Sequence, residues 1–226
     1  MCKPTAEPLA NTAAGAFGPD SRRKPTWSTS RDHLRLDYSR GHWCNDDDDG
    51  FRYRRHSFAV TSSERMVAGA GFEEWDCFPG CDPTMDSFIL TCDQHSQAAY
   101  DMAEAVASFC RTGSQTESSP FDYGSIVLFD RLRIEAVSAN ESKVVWDLIK
   151  MVLSRLRRAG AAGVILKAFP LEYEGKVTDD NRNAFELRQR AMLRHYSRRL
   201  GVRTLPGEPG RSGWQWLPVR WPTDPG

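Results

Sequence analysis

No apolar run in this chain approaches the roughly 18 residues needed to cross a bilayer, which excludes an integral membrane protein built on apolar helices. Neither charge sign is in excess: Lys and Arg total 30, and Asp and Glu total 30. A net charge of zero gives no overall pull toward polyanions, so a purely electrostatic duplex binder is disfavoured. The first residues, Met1 to Phe17, carry one early Lys but no leucine-rich stretch. They make a poor secretory signal, and a cytoplasmic location is expected. No internal repeat is apparent.

What is present is a chain of 226 residues, 40% apolar and 11% aromatic. That is enough to bury the core of one ordinary domain and to leave a tail. Six cysteines would permit disulfides, but reduced thiols are the expectation for a cytoplasmic chain. Cys77 and Cys81, followed by Cys92 and His95, have spacings found at structural zinc sites. The competing reading, which is preferred, makes Cys92 the end of a buried strand and a small core residue; no metal is assigned. Asn45 to Gly50 opens like a calcium loop, but His56 stands where a bidentate Glu is needed, so a solvated acidic turn is expected.

Residues 1–50 are rich in Pro, Ser, Thr, Ala and Gly and read as a flexible tail, with a short ordered piece around His33 to Tyr38. From Phe51 the texture changes, and 51–221 reads as one domain. Phe51 to Val60 alternates like a strand, Glu64 to Trp75 fits either helix or strand, and Asp86 to Cys92 reads as a short buried strand. Gln97 to Cys110 has helical spacing. Gly124 to Glu135 reads as a long strand, and Val137 to Ser142 as a turn. Lys143 to Arg158 is a helix with one apolar stripe and arginines at its C-terminal pole. Ala161 to Phe169 is the next strand, and Asn181 to Leu200 is a helix stopped by Gly201. Val202 to Leu205 and Trp214 to Val219 are final strands joined by a Gly/Pro loop. Strand, crossover helix and strand imply a parallel pair, and the terminal hairpin adds antiparallel strands, so the sheet is mixed.

Three segments carry a family likeness: Ile126 to Ile134 leading to the helix Lys143–Arg158, Val164 to Leu171, and Ala191 to Val202 with its A-x4-Y-x3-L-G pattern. Ile89 to Ser96 adds a fourth, looser one. This succession resembles the GNAT superfamily of N-acetyltransferases, in a bacterial branch. The resemblance covers about residues 123–219 well and 53–122 loosely. It implies an α/β (α+β) fold: a mixed, mostly antiparallel twisted sheet with a central splayed parallel pair, flanked by helices. It also implies transfer of an acetyl or other acyl group from acetyl-CoA or a related acyl-CoA to an amine, on a small molecule or a protein.

By the same resemblance, the pantetheine would lie along Leu132, Arg133 and Ile134. The pyrophosphate would meet a turn at Asn140, Ser142, Lys143, Val144 and Val145. Here the turn departs from the family pattern R/Q-x-x-G-x-G/A. Asn140 replaces the Arg or Gln, Lys143 and Val145 replace the small residues, and Glu141 adds a negative charge. Tyr196 matches the family tyrosine that protonates the departing thiolate, though helical spacing also makes it a core residue. Glu135 and Asp130 are candidate bases for the amine, with solvated ion pairs as the alternative. Against the enzyme stands a second reading: a GNAT-fold binding or regulatory module that has lost the coenzyme. Arg182, Arg188, Arg190, Arg194, Arg198 and Arg199 could meet RNA, but read more simply as a solvated face. Trp214 and Trp216 share one face of the last strand, where they complete the core or form a homodimer surface.

Overall fold

The computed structural model describes residues 27–45, 50–63, 65–81, 84–112, 119–135 and 138–218. Strands β1 (Trp27–Arg31) and β2 (Leu34–Arg40) form a hairpin that turns at Asp32, whose φ of 54° is left-handed. Leu34, Leu36 and Tyr38 are buried and alternate with more exposed polar residues, the period-2 pattern of a half-buried strand. Strand β3 (Cys44–Asn45) and the long hairpin of β4 (Phe51–Ser62) and β5 (Arg65–Cys77) follow. Residues 27–45 thus belong to the sheet, which corrects the tail expected over 1–50; residues 1–26 lie outside the described residues, as do 46–49 of the proposed acidic turn.

Helices α1 (Met85–His95) and α2 (Gln97–Thr112) come next. The strand expected at Asp86–Cys92 is therefore helix. Its apolar run Phe88-Ile-Leu is too short to fix a period, and Thr84 caps the helix by accepting from the Ser87 N–H. After a 3-10 turn at Pro120–Tyr123, β6 (Ser125–Ile134) leads to α3 (Ala139–Arg158) and β7 (Ala161–Lys167). Then come α4 (Arg182–Leu200), β8 (Arg203–Thr204), the short α5 (Gly207–Arg211) and β9 (Trp214–Pro218).

The strands form one sheet in the order β1-β2-β4-β5-β6-β7-β9-β8, with β3 on β4. Among the described residues only β6 and β7 pair in parallel, and α3 is the crossover between them. The fold is thus α+β with a mostly antiparallel mixed sheet.

Both faces of the centre are covered, so β6 reads as a continuous apolar run rather than an alternating one. Val127 and Phe129 join Val164 and Leu166 beneath Val145, Leu148, Ile149 and Val152 of α3. Ile126, Leu128 and Ile165 face the other way, onto Phe88, Met102 and Val106 of α1 and α2. Each such side chain contributes about 1.5–3 kcal/mol by leaving water. Trp214 and Trp216 are 4% exposed and belong to this second core, the first of the two readings open to them.

Candidate functional site

Hydrogen bonding between β6 and β7 ends at Phe129 and Leu166, while β6 continues against β5 as far as Ile134. Past Phe129, β6 therefore has no strand partner on its β7 side among the described residues. A cleft of about 1070 Å³ opens there, lined by Leu128, Leu132, Arg133 and Ile134 of β6 and by Lys167 and Phe169 at the end of β7. The parallel pairing thus ends where β7 ends, at Lys167, whose other neighbour is Trp214 of β9.

Two sets of side chains line the opening. From the α3 and α4 side come Trp146, His195 and Tyr196. Tyr196 packs against the α3-side core, and burial pushes its phenol up to about 12, so the proton stays on the oxygen at neutral pH. From the α1 and α2 side come Glu73, His95 and the first turn of α2.

Glu73 and His95 are 22 positions apart in sequence and meet because the C-terminal end of α1 lies over β5. The His95 Nε2 lies 3.1 Å from Glu73 Oε2 and 3.2 Å from Oε1, and Arg55 donates to Oε1 at 3.1 Å. The imidazole is held between aromatic rings, 4.3 Å from Tyr53 and 5.0 Å from Trp75 between centroids. Burial alone would raise the Glu73 carboxyl. The hydrogen bond and charge of His95, and then Arg55, outweigh it and hold the group below its ordinary value. A carboxylate only accepts, so His95 donates from Nε2 to Glu73, which fixes the orientation of the ring. No periodicity or motif brings these two residues together in the sequence; only the helix of α1, read there as strand, does so.

The expected bases fare otherwise. Glu135 lies just after β6 and pairs with Arg133 at 2.7 Å. Its N–H continues the strand by donating to Val67. It is absent from the lining of the cleft. The side chain of Asp130 lies outside the described residues.

Of the expected coenzyme residues, Leu132, Arg133 and Ile134 line the cleft. Asn140, Ser142, Lys143, Val144 and Val145 do not, and they form no turn: α3 begins at Ala139, capped by Ser138. Val145 is fully buried in the α3-side core. Ser138 Oγ accepts from the Glu141 N–H, and the Glu141 carboxylate accepts from the Ser138 N–H. His33 pairs with Glu141 at 3.0 Å, and that bond, with the Ser138 bonds behind it, holds the carboxyl down at about 2. The positive pole of α3 is thus answered by a carboxylate of its own chain.

The zinc reading is not carried by the geometry. Cys92 is buried among apolar side chains with its thiol pushed up by burial, and His95 is engaged by Glu73. Among the described residues no group of three or more His, Cys, Asp or Glu could hold a metal ion. The arginines of α4 are largely solvated, with Arg182 on Asp179 and Arg188 on Glu172. No helix of the described residues is long and apolar enough to cross a membrane.

No protein-family model, curated protein or solved structure matches this chain.

Proposed function

We propose that the protein is a GNAT-like N-acyltransferase that uses an acyl-CoA thioester. The observation that carries this reading is the end of β7 at Lys167 while β6 runs on to Ile134 at the sheet's centre, with the half-buried Tyr196 against the opening. Unpaired backbone beyond Phe129 offers N–H and C=O groups to an extended amide chain such as pantetheine. The thioester carbonyl would then lie between the two sets of side chains. The amine attacks the carbonyl carbon, the C–N bond forms and the C–S bond breaks. His95, oriented by Glu73, takes the amine proton at Nδ1, and Tyr196 gives its proton to the departing sulfur. His95 and Glu73 replace Glu135 and Asp130 in the base role.

A second reading has its own observation. The capped, acidic start of α3 offers no cradle for a pyrophosphate, which favours a GNAT-fold module that has lost the coenzyme. Calorimetric titration of the full chain with acetyl-CoA separates the two. Micromolar binding is the outcome expected of the transferase, followed by an amine screen in which Tyr196→Phe and His95→Gln each lower kcat at least ten-fold. No heat at millimolar ligand would retire the transferase in favour of the module.

A further inference from the structure

Four arginine or lysine side chains and four carboxylates border the cleft, and the chain itself answers them. Arg55 meets Glu73, which also accepts from His95. Lys167 meets Asp101 at 3.1 Å, and its ammonium lies over the Trp214 ring, 5.1 Å from the centroid. Arg188 meets Glu172 at 3.1 Å. Arg133 meets Glu135, just outside the lining, and Glu174 is engaged as well. His195 is held below its ordinary value by burial and then by Arg199 and Arg198, so it is uncharged at neutral pH. Among the arginines, lysines and carboxylates of the opening, neither sign is in surplus.

Between these pairs the lining is apolar. Leu132 and Ile134 of β6, Phe169 beyond β7 and Met192 of α4 are half-buried and border the same opening, together with buried Leu128. Single apolar side chains on a surface need no explanation. These come from three parts of the chain and converge on one opening of about 1070 Å³, large enough to enclose a whole small molecule.

A ligand entering this space exchanges water for those surfaces. Each methylene it buries raises its affinity roughly four-fold. A charged group at its far end gains nothing comparable. It gives up its water and meets only side chains that already have partners. The ammonium of an amine differs, because His95 can take its proton.

We propose that the cleft takes a primary amine with an uncharged, apolar body: a monoamine, not an amino acid, a polyamine or an amine that carries a phosphate. The inference rests on the transferase reading for the fate of the amine, which is then the acyl acceptor; the binding itself needs no coenzyme.

The test is calorimetric titration of the full chain, at neutral pH and without coenzyme, with butylamine, hexylamine, aminohexanoate and hexanediamine. The last three are chains of one length that differ at the far end. Saturable one-to-one binding of hexylamine is expected, at least about ten-fold tighter than that of aminohexanoate or hexanediamine. It should exceed butylamine by roughly four-fold for each added methylene. Met192→Gln, which sets an amide in the lining, should weaken hexylamine several-fold. Leu187→Gln, on the same helix but exposed and outside the lining, should leave it unchanged. Melting curves show whether both variants are folded, and the ligand series decides without them. Equal or tighter binding of either charged analogue would overturn the proposal. So would affinity that ignores chain length, equal weakening by both variants, or no binding of hexylamine at all. Acetyl-CoA is absent throughout, so its own failure to bind retires the transferase and leaves this site standing. Tighter binding of a charged analogue does the reverse, leaving the transferase with a different acceptor.

Discussion

Glu73 and Glu74 are neighbours on β5 that serve opposite faces of the sheet. Glu73 turns to His95 of α1, while Glu74 turns to His56 and Ser125 beneath α3. Each is also answered across the β4–β5 ladder, Glu73 by Arg55 and Glu74 by Arg54, as directly opposed residues. Glu74 is 3% exposed, and breaking such a buried pair from one side is costly. Glu74→Gln should lower stability by about 3 kcal/mol in urea unfolding.

The pH dependence has a definite sign. Burial opposes ionisation of Glu74, but bonds from His56 and Ser125 and the charge of Arg54 bring its folded value down to about 2. That contribution is full above the ordinary carboxylate range and is lost as pH falls from about 4 toward 2. Buried His56, with its value also depressed, begins the loss earlier, below about pH 6.5. The melting temperature should therefore hold steady above neutrality and fall on acidification in two stages. Glu74→Gln should flatten the lower one. Of these residues the sequence singles out His95, as a zinc candidate and as a lesser candidate base, but not Glu73 as its partner: a charged residue on a strand gives no sign of which distant side chain it will meet.

At the scale of elements, α3 was the most legible. Its stripe of Val145, Leu148, Ile149, Val152 and Leu156 all lands in one core, and Gly160 follows with φ of 106°. The helix starts four residues before the expected Lys143, because the cap Ser138 falls in the turn expected over 137–142 and its partner Glu141 in the expected phosphate turn. α1 was misread because Phe88-Ile-Leu next to Thr91 and Cys92 suits either period. In the polar, Pro-rich region the ordered piece expected around His33 to Tyr38 is β2, where Leu34, Leu36 and Tyr38 carry the alternation; β1, with no such run, gives no signal. Two outcomes follow from the cap. Ser138→Ala should cost about 1 kcal/mol of stability by thermal or urea unfolding. Glu141→Gln removes the anion from the pole of α3. That variant loses the His33 pair and weakens the return bond to the Ser138 N–H, so it should lower the urea midpoint.

At the scale of the molecule, the sheet's two halves meet along β6 and β7, and the joint depends on backbone that crosses without side chains. Gly124, with φ of 132°, passes so close to Gly160 that a Cβ would stand 1.9 Å from its carbonyl oxygen. Gly124→Ala should therefore destabilise the fold by at least about 2 kcal/mol, read as a lower urea midpoint. The mixed sheet, the parallel centre and the crossover were all legible, because strand, long helix and strand leave few topologies open. The joint was not, since a glycine in a sequence says nothing of what passes near it.

The same joint governs assembly. The strands from β1 to β5 pair almost entirely through hairpins between chain neighbours, contacts that close quickly. β6 must wait across two helices to reach β5, and β7 must wait for the whole of α3 before it can lie parallel to β6. As the chain leaves the ribosome, the N-terminal meander therefore forms with the inner edge of β5 unpaired, its Ala68 to Trp75 segment open to other chains. The vulnerable moment for this protein falls in the interval before β6 docks, and a chaperone that shelters that edge would raise its yield more than any strengthening of the finished core.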